Sequence, residues 1–275
     1  MTVLDHVGIL VPRLDAAAAL LARLGFTLTR RAEHRAASGA SAGSEQCSIM
    51  LEHGYVEVQE ITDLATSGHI LATAARRNFG LHTLAFGVED AAAAREAAAG
   101  AGLPVTPVME WARQVEEEDI SAEARFAFLV AAWEAGDDSF LCWVRHLTPE
   151  ALRTPRLLRH ANGARDLRAA VIATRGDPAR LLSRYEACGG VRDGARVRFG
   201  DGTVEVRGPS ELPPSLAAAP APAPDWFAAM RLGFDDPDSF AAAARREGFA
   251  ATPEAGAITV DLRPALGCFI LAEAA

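Results

Sequence analysis

The sequence predicts an α+β fold made of paired β-α-β-β-β units in two tandem modules, and three observations carry that prediction. A phrase of strand, Asp, helix and Gly occurs four times. Hairpin signals fill the gaps between its copies. Half of the 275 residues are hydrophobic, enough to bury a substantial core.

The first copy, VGILVPRLDAAAALLARLGF (7–26), is an apolar strand, an Asp in N-cap position and an Ala/Leu-rich helix with Leu20, Leu21 and Leu24 on its core face. A Gly able to take the left-handed C′ conformation ends it. EHRAASGASAGSE (33–45) is small and polar and reads as a surface loop. CSIMLEHGYVEVQEI (47–61) reads as two strands around a tight turn at His53-Gly54. The second copy is TLAFGVEDAAAAREAAAGAGL (83–103), followed by a strand pair in ARFAFLVAAWEAGDDSFLCWVRHL (124–147). The third, AAVIATRGDPARLLSRYEACGGV (169–191), precedes a hairpin in ARVRFGDGTVEVRGP (195–209) with its turn at Asp201-Gly202. The fourth, AAMRLGFDDPDSFAAAARREGF (228–249), precedes a strand pair in AITVDLRPALGCFILAEA (257–274).

Each unit has one helix and a sheet with one face to cover, so two units must pair to close a core. That gives modules of about 1–150 and 165–275. LTPEALRTPRLLRHANGARD (147–166) reads as a short helical connector, and PSLAAAPAPAP (214–224) as a stiff Pro-Ala loop.

Composition excludes several partners. A formal net charge of -9, with its acidic run in VEEEDIS (Glu116 to Asp119), repels phosphate backbones, so no nucleic acid is expected. No basic n-region opens the chain and no apolar run is long enough to cross a bilayer; no membrane partner is expected, and the cytoplasm is the expected compartment. Cys47, Cys142, Cys188 and Cys268 are scattered and form no CxxC, which suits reduced structural thiols.

Paired units of this kind, with a histidine in the first strand of each, resemble the vicinal oxygen chelate superfamily, which includes glyoxalase I, methylmalonyl-CoA epimerase, extradiol dioxygenases and drug-resistance proteins. The resemblance covers nearly the whole chain and is closest in LDHVGILVPRLDAAAALLARLGF, YVEVQEI and GLHTLAFGVED. It implies a half-open cup with a metal where the first and last strands of both units point inward. His6 and His82 then occupy matching positions, and Glu57 matches the carboxylate ligand of the first unit. The fourth position usually holds Glu; SFLCWVRHLTPE has no acid within the strand, and His146 is the nearest ligand-competent side chain. The implied site is a divalent metal (Zn, Ni, Fe, Mn or Co) on His6, Glu57, His82 and His146, or on three ligands with open positions.

For His6 alone, in the strand LDHVGILV, a hydrogen-bonded core histidine is the competing reading. The second module lacks both imidazoles: His6 corresponds to Ala169, His82 to about Ala228, and Glu57 to Glu205, which reads as an exposed hairpin residue. Solvent exposure is expected for His34, His53 and His69. His160 reads as a helix C-terminal histidine on the macrodipole, with pocket lining beside Asn162 as the other option. Trp111, Trp133 and Trp143 read as core, or as walls of an aromatic cleft.

The function so implied is a glyoxalase-like, metal-dependent lyase or isomerase acting on a small molecule through adjacent oxygens, with Glu57 as ligand or as catalytic base. An extradiol-type dioxygenase ranks lower, because its carboxylate belongs where His146 stands. A metal-free small-molecule binding protein is the reading from another class. Either a monomer or a homodimer suits fused modules.

Overall fold

The computed structural model describes residues 1–36, 38–66, 78–132, 138–254 and 256–275; His69 and Trp133 lie outside the described residues. Four β-α-β-β-β units follow one another. The first is β1 (Val3–Leu10), α1 (Leu14–Arg23), β2 (Ala32–Ala36), β3 (Ser41–Met50) and β4 (Tyr55–Ile61). The second is β5 (Gly80–Gly87), α2 (Ala91–Gly100), β6 (Met109–Glu116), β7 (Ser121–Val130) and β8 (Phe140–His146). In the third come β9 (Ala164–Thr174), α3 (Pro178–Ala187), β10 (Val191–Asp193), β11 (Arg196–Phe199) and β12 (Gly202–Arg207), then a single turn, α4 (Pro214–Ala217). The fourth holds β13 (Asp225–Phe234), α5 (Pro237–Arg246), β14 (Ala251–Glu254), β15 (Ala257–Asp261), α6 (Arg263–Leu266) and β16 (Phe269–Ala274).

Three of the four expected caps form: Asp90, Asp177 and Asp236 accept backbone N–H bonds at the starts of α2, α3 and α5. At α1 the helix starts one residue before Asp15, and Glu60 Oε2 accepts from the Leu14 N–H at 2.7 Å instead. The glycines closing the four phrases, Gly25, Gly102, Gly189 and Gly248, all have positive φ.

The eight strands of the first module close into a barrel in the order β1-β4-β3-β2-β6-β7-β8-β5. The resemblance implied a half-open cup. Closure comes from β2 and β6, where Arg35 pairs Ala112 and Ala36 pairs Trp111. Most of β2 lies in the small, polar 33–45 stretch that reads as a surface loop, and β6 ends in the acidic run VEEEDIS. The second module remains an open eight-stranded sheet, β10-β11-β12-β9-β13-β16-β15-β14. Its edges are the three-residue β10 and the Pro253-containing β14, both unsuited to further pairing.

The connector is helical only in a 3₁₀ turn over Pro149–Ala151. His160 ties it down, donating from Nε2 to the Met50 carbonyl at 2.7 Å while Nδ1 accepts from the Thr27 N–H at 3.0 Å. Both ring nitrogens are thus engaged within the fold rather than at a helix terminus; Asn162 donates to the Leu24 carbonyl at 2.9 Å.

One hydrophobic core runs through both modules, joining Leu21, Leu24, Phe86 and Trp143 to Leu181, Tyr185, Phe199 and Phe240. Phe86 and Phe199 stack across the junction at 4.4 Å. Trp143 is core, as expected, and its Nε1 donates to the Cys188 carbonyl at 3.2 Å. Asp138, buried from the first module, accepts from Arg184 and Tyr185 of α3. Among the described residues no helix is long and apolar enough to cross a membrane.

Gly80, at φ 128°, abuts the αL residue Gly267 so closely that a Cβ would lie 2.3 Å from the Gly267 carbonyl oxygen. Gly80→Ala is therefore expected to cost about 2 kcal/mol or more. Because the core is continuous, urea unfolding should shift as one transition; two separate transitions would show that the modules unfold independently.

Candidate active site

The barrel register fixes which residues can meet. In the antiparallel β1–β5 pair, His6 lies opposite Ala85 and Gly8 opposite Thr83. A local two-fold axis exchanging these pairs relates His6 to Thr83 and Gly8 to Ala85. On the flanking parallel strands His6 adjoins Tyr55 and Gly8 adjoins Glu57, while Thr83 adjoins Phe140 and Ala85 adjoins Cys142. The four equivalent inward positions are thus His6, Glu57, Thr83 and Cys142, and all four line one cavity of about 340 Å³ inside the first barrel. Trp111, Phe126, Phe128 and Phe140 form its aromatic wall.

His6 is buried with its ring stacked on Tyr55 at 4.3 Å. Its Nδ1 bonds Asp5 Oδ2 at 2.7 Å, so Nε2 is the nitrogen turned to the cavity, 3.8 Å from Glu57 Oε2. Asp5 also meets His146 Nε2 at 3.1 Å. Burial alone would raise the Asp5 carboxyl, but the charges and hydrogen bonds of His146 and His6 outweigh it and hold Asp5 well below the usual carboxylate range.

Glu57 is equally enclosed. Its Oε1 lies 3.2 Å from His34 Nε2, and its Oε2 accepts from Gln59. Burial pushes this carboxyl up, yet the His34 hydrogen bond and the charges of His34, His6 and Arg113 prevail and bring it to about 2. His34 corrects the sequence reading: its side chain is only 11% exposed, turns into the barrel and is steadied by Ser44 Oγ at 3.0 Å. His53 is 69% exposed, as expected, and pairs with Asp166.

Of the four residues assigned to a metal, the fold brings His6 and Glu57 together. His82 is the extra residue of a β-bulge, since Gly8 pairs Thr83 while Ile9 pairs Leu81. It does not line the cavity, and its Nε2 donates to the Asn78 carbonyl at 2.5 Å. His146 reaches the site only through Asp5. The repeat alignment behind this assignment is one residue out, and a signal was present: His6 stands before Val-Gly-Ile as Thr83, not His82, stands before Leu-Ala-Phe. The same shift replaces Ala228 by Ala229, which pairs Val171 as Thr83 pairs Gly8.

Vicinal oxygen chelate proteins typically bind a divalent metal. His6 with a carboxylate on its second nitrogen has the outer support of a metal-bound imidazole. The set around it departs from two histidines and two carboxylates: Thr83 offers only a neutral hydroxyl, and Cys142 a buried thiol that burial pushes up in the absence of a metal. Among the described residues no group of three or more His, Cys, Asp or Glu is placed to hold a metal ion. All four cysteines are free and buried, but Cys142 lines the cavity as well as packing.

The corresponding place in the second module offers no such ligand set. Glu205 adjoins Val171 as Glu57 adjoins Gly8, but it is 3% exposed rather than solvated. Arg207, Arg231 and Arg196 surround it at 3.1, 3.4 and 3.9 Å. Ala169 and Ala229 stand where imidazoles would be needed.

A hypothetical protein from Staphylococcus aureus has a similar structure, with a TM-score of 0.67 and 9% identity over all of both chains. A mutant of 4-hydroxymandelate synthase from Streptomyces coelicolor has a TM-score of 0.58 and 13% identity over all of this chain and 94% of that one. Such identities establish the fold alone. No curated protein matches the sequence significantly. The glyoxalase-like domain family matches residues 4–188, which is more than half of the chain. With its two tandem modules of paired β-α-β-β-β units, the chain belongs to the glyoxalase-like domain family of the vicinal oxygen chelate superfamily.

Proposed function

We propose that the first module is the active site of a lyase or isomerase that moves a proton on a small molecule held in the barrel cavity. The observation that carries this reading is the row Asp5, His6, Glu57 on one wall of an otherwise largely apolar cavity. Asp5 fixes the ring through Nδ1, leaving Nε2 to accept a proton from a carbon next to a carbonyl. As the C–H bond breaks, its electron pair passes into the enolate and the proton rests on Nε2. Glu57, 3.8 Å away, stabilises the imidazolium so formed. Return of the proton to the neighbouring carbon isomerises the substrate; departure of a β-substituent completes an elimination.

This assigns Glu57 a different part from the base named by the sequence reading. A carboxyl held at about 2, with both oxygens already engaged, is a weak proton acceptor at neutral pH but a dependable fixed charge. The aromatic wall favours a second reading, capture of a small molecule without turnover, as in a resistance-type binding protein. Turnover separates the two.

In D₂O, a panel of 2-oxo and 2-hydroxy acids and their esters should reveal a compound whose hydrogen exchanges at the carbon beside the carbonyl, read by proton NMR. His6→Asn and Glu57→Gln should each slow that exchange by about 100-fold or more while binding persists. Binding without exchange across the panel would favour capture alone. Protein purified without added metal is expected to hold far less than one equivalent of divalent metal by mass spectrometry, and a chelator should leave exchange intact; stoichiometric metal lost in His6→Asn would restore the metal-dependent reading.

The depressed Glu57 carboxyl also has a stability consequence. Its contribution is complete above its ordinary value near 4.5 and is lost as pH falls from there towards about 2. Glu57→Gln should remove a part of the acid limb on the order of 2 to 3 kcal/mol, measured by urea unfolding across that window.

A further inference from the structure

The barrel buries a cation that the proton-transfer row does not use. Arg113, on the inner face of β6, is 5% exposed and lines the cavity. Among the described residues no side chain or carbonyl accepts a hydrogen bond from its guanidinium, and no carboxylate lies within 4.0 Å of it. Its Cζ lies 5.9 Å from the centre of the Phe126 ring. Glu57, Tyr55, Cys47 and Glu117 are near enough to act on its charge, but Glu57 already accepts from Gln59 and meets His34. Elsewhere in the chain buried or half-buried arginines are paired: Arg184 with Asp138, Arg231 with Glu205 and Glu273.

A buried guanidinium without an acceptor is costly to the folded state, so a protein that keeps one gains something when an acceptor arrives. A second unmet donor lies in the same barrel. Strand alternation puts Ser44, Gln46 and Ser48 on the inner face of β3, opposite Cys47 and Ile49, which pack in the hydrophobic core. Gln46 Nε2 is buried without a partner. Gln46 does not itself line the cavity, but the guanidinium does, and an unpaired guanidinium beside a rigid aromatic wall calls for a ligand that is apolar along its body and anionic at one end.

We infer that Arg113 is the specificity-determining residue of this site, and that it selects small molecules with an aromatic or aliphatic body and a carboxylate group, gripped by the guanidinium fork. The inference deepens the proton-transfer reading by naming the substrate class, and rests on it for the site's location. The fork geometry favours a planar carboxylate, which can accept two parallel N–H bonds.

The test uses the full chain with benzoate, phenylacetate and hexanoate, each beside its neutral amide, and follows the Trp111 indole resonance of ¹⁵N-labelled protein. At least one carboxylate should bind about 10-fold tighter than its amide. Arg113→Met should erase that preference while leaving amide binding, and Arg113→Lys should keep part of it. An arginine held for structure alone would leave the preference intact in Arg113→Met. Acids and amides binding alike, no acid shifting Trp111 at millimolar concentration, or a preference that survives Arg113→Met would each overturn the inference. Wild-type comparison of acid with amide decides the matter even where a variant fails to fold. Glu57→Gln should retain the carboxylate preference, so a preference without hydrogen exchange would sink only the proton-transfer reading, and exchange without a preference only the role of Arg113.

Discussion

The antiparallel pairing of β1 with β5 is the constraint on which the rest of the structure depends. It sets the local two-fold axis of the first module, and through the parallel partners β4 and β8 it decides which four side chains share the cavity. The pairing is close because Gly8 has no side chain: a Cβ there would lie 2.6 Å from Thr83 Cβ. A one-residue slip in such a pair turns every side chain to the opposite face, so the bulge at His82 matters more than the identity of His82 itself.

The site's chemistry follows from how the barrel tolerates buried charge. Asp5 and Glu57 are held ionised by the groups around them: His6 and His146 on Asp5, and His34, His6 and Arg113 on Glu57. That arrangement makes the carboxylates fixed charges and leaves His6 Nε2 as the group best placed to take a proton. Opposite this polar row lies the aromatic wall, which excludes water and strengthens each electrostatic contact within. Closure of the barrel by β2 and β6 contributes directly, since those strands carry His34, Trp111 and Arg113.

The second module repeats the architecture without the chemistry. Its equivalent of Glu57 is bound up by arginines, and its imidazole positions are alanines. What it supplies is support: Phe199 stacks on Phe86 behind β5, and α3 receives Asp138 and Trp143 from the strand that carries Cys142 and its approach. A cavity with buried charge is intrinsically destabilising, and the apolar area shared with the second module offsets that cost.

Periodicity and punctuation were legible from the sequence: four strand-helix phrases, their glycines, three of their Asp caps and the pairing of units into two modules. These are local properties, set within a turn or two of chain. His6 and Glu57 were legible as well, because each lies in a strand whose apolar pattern fixes its phase. The strands β2, β6, β10 and β14 were not, since polar segments become strands only when a neighbour supplies the hydrogen bonds. The choice of Thr83 over His82 was legible only through the phase of the repeat, because the two differ by one residue in sequence and by a whole face in the sheet. His34 and Arg113 look like surface residues of polar segments, yet barrel closure carries both inward. The sequence by itself determined the fold class, the repeat and two residues of the site; tertiary structure decided which side chains share the cavity, because that depends on the register and closure of strands far apart in the chain.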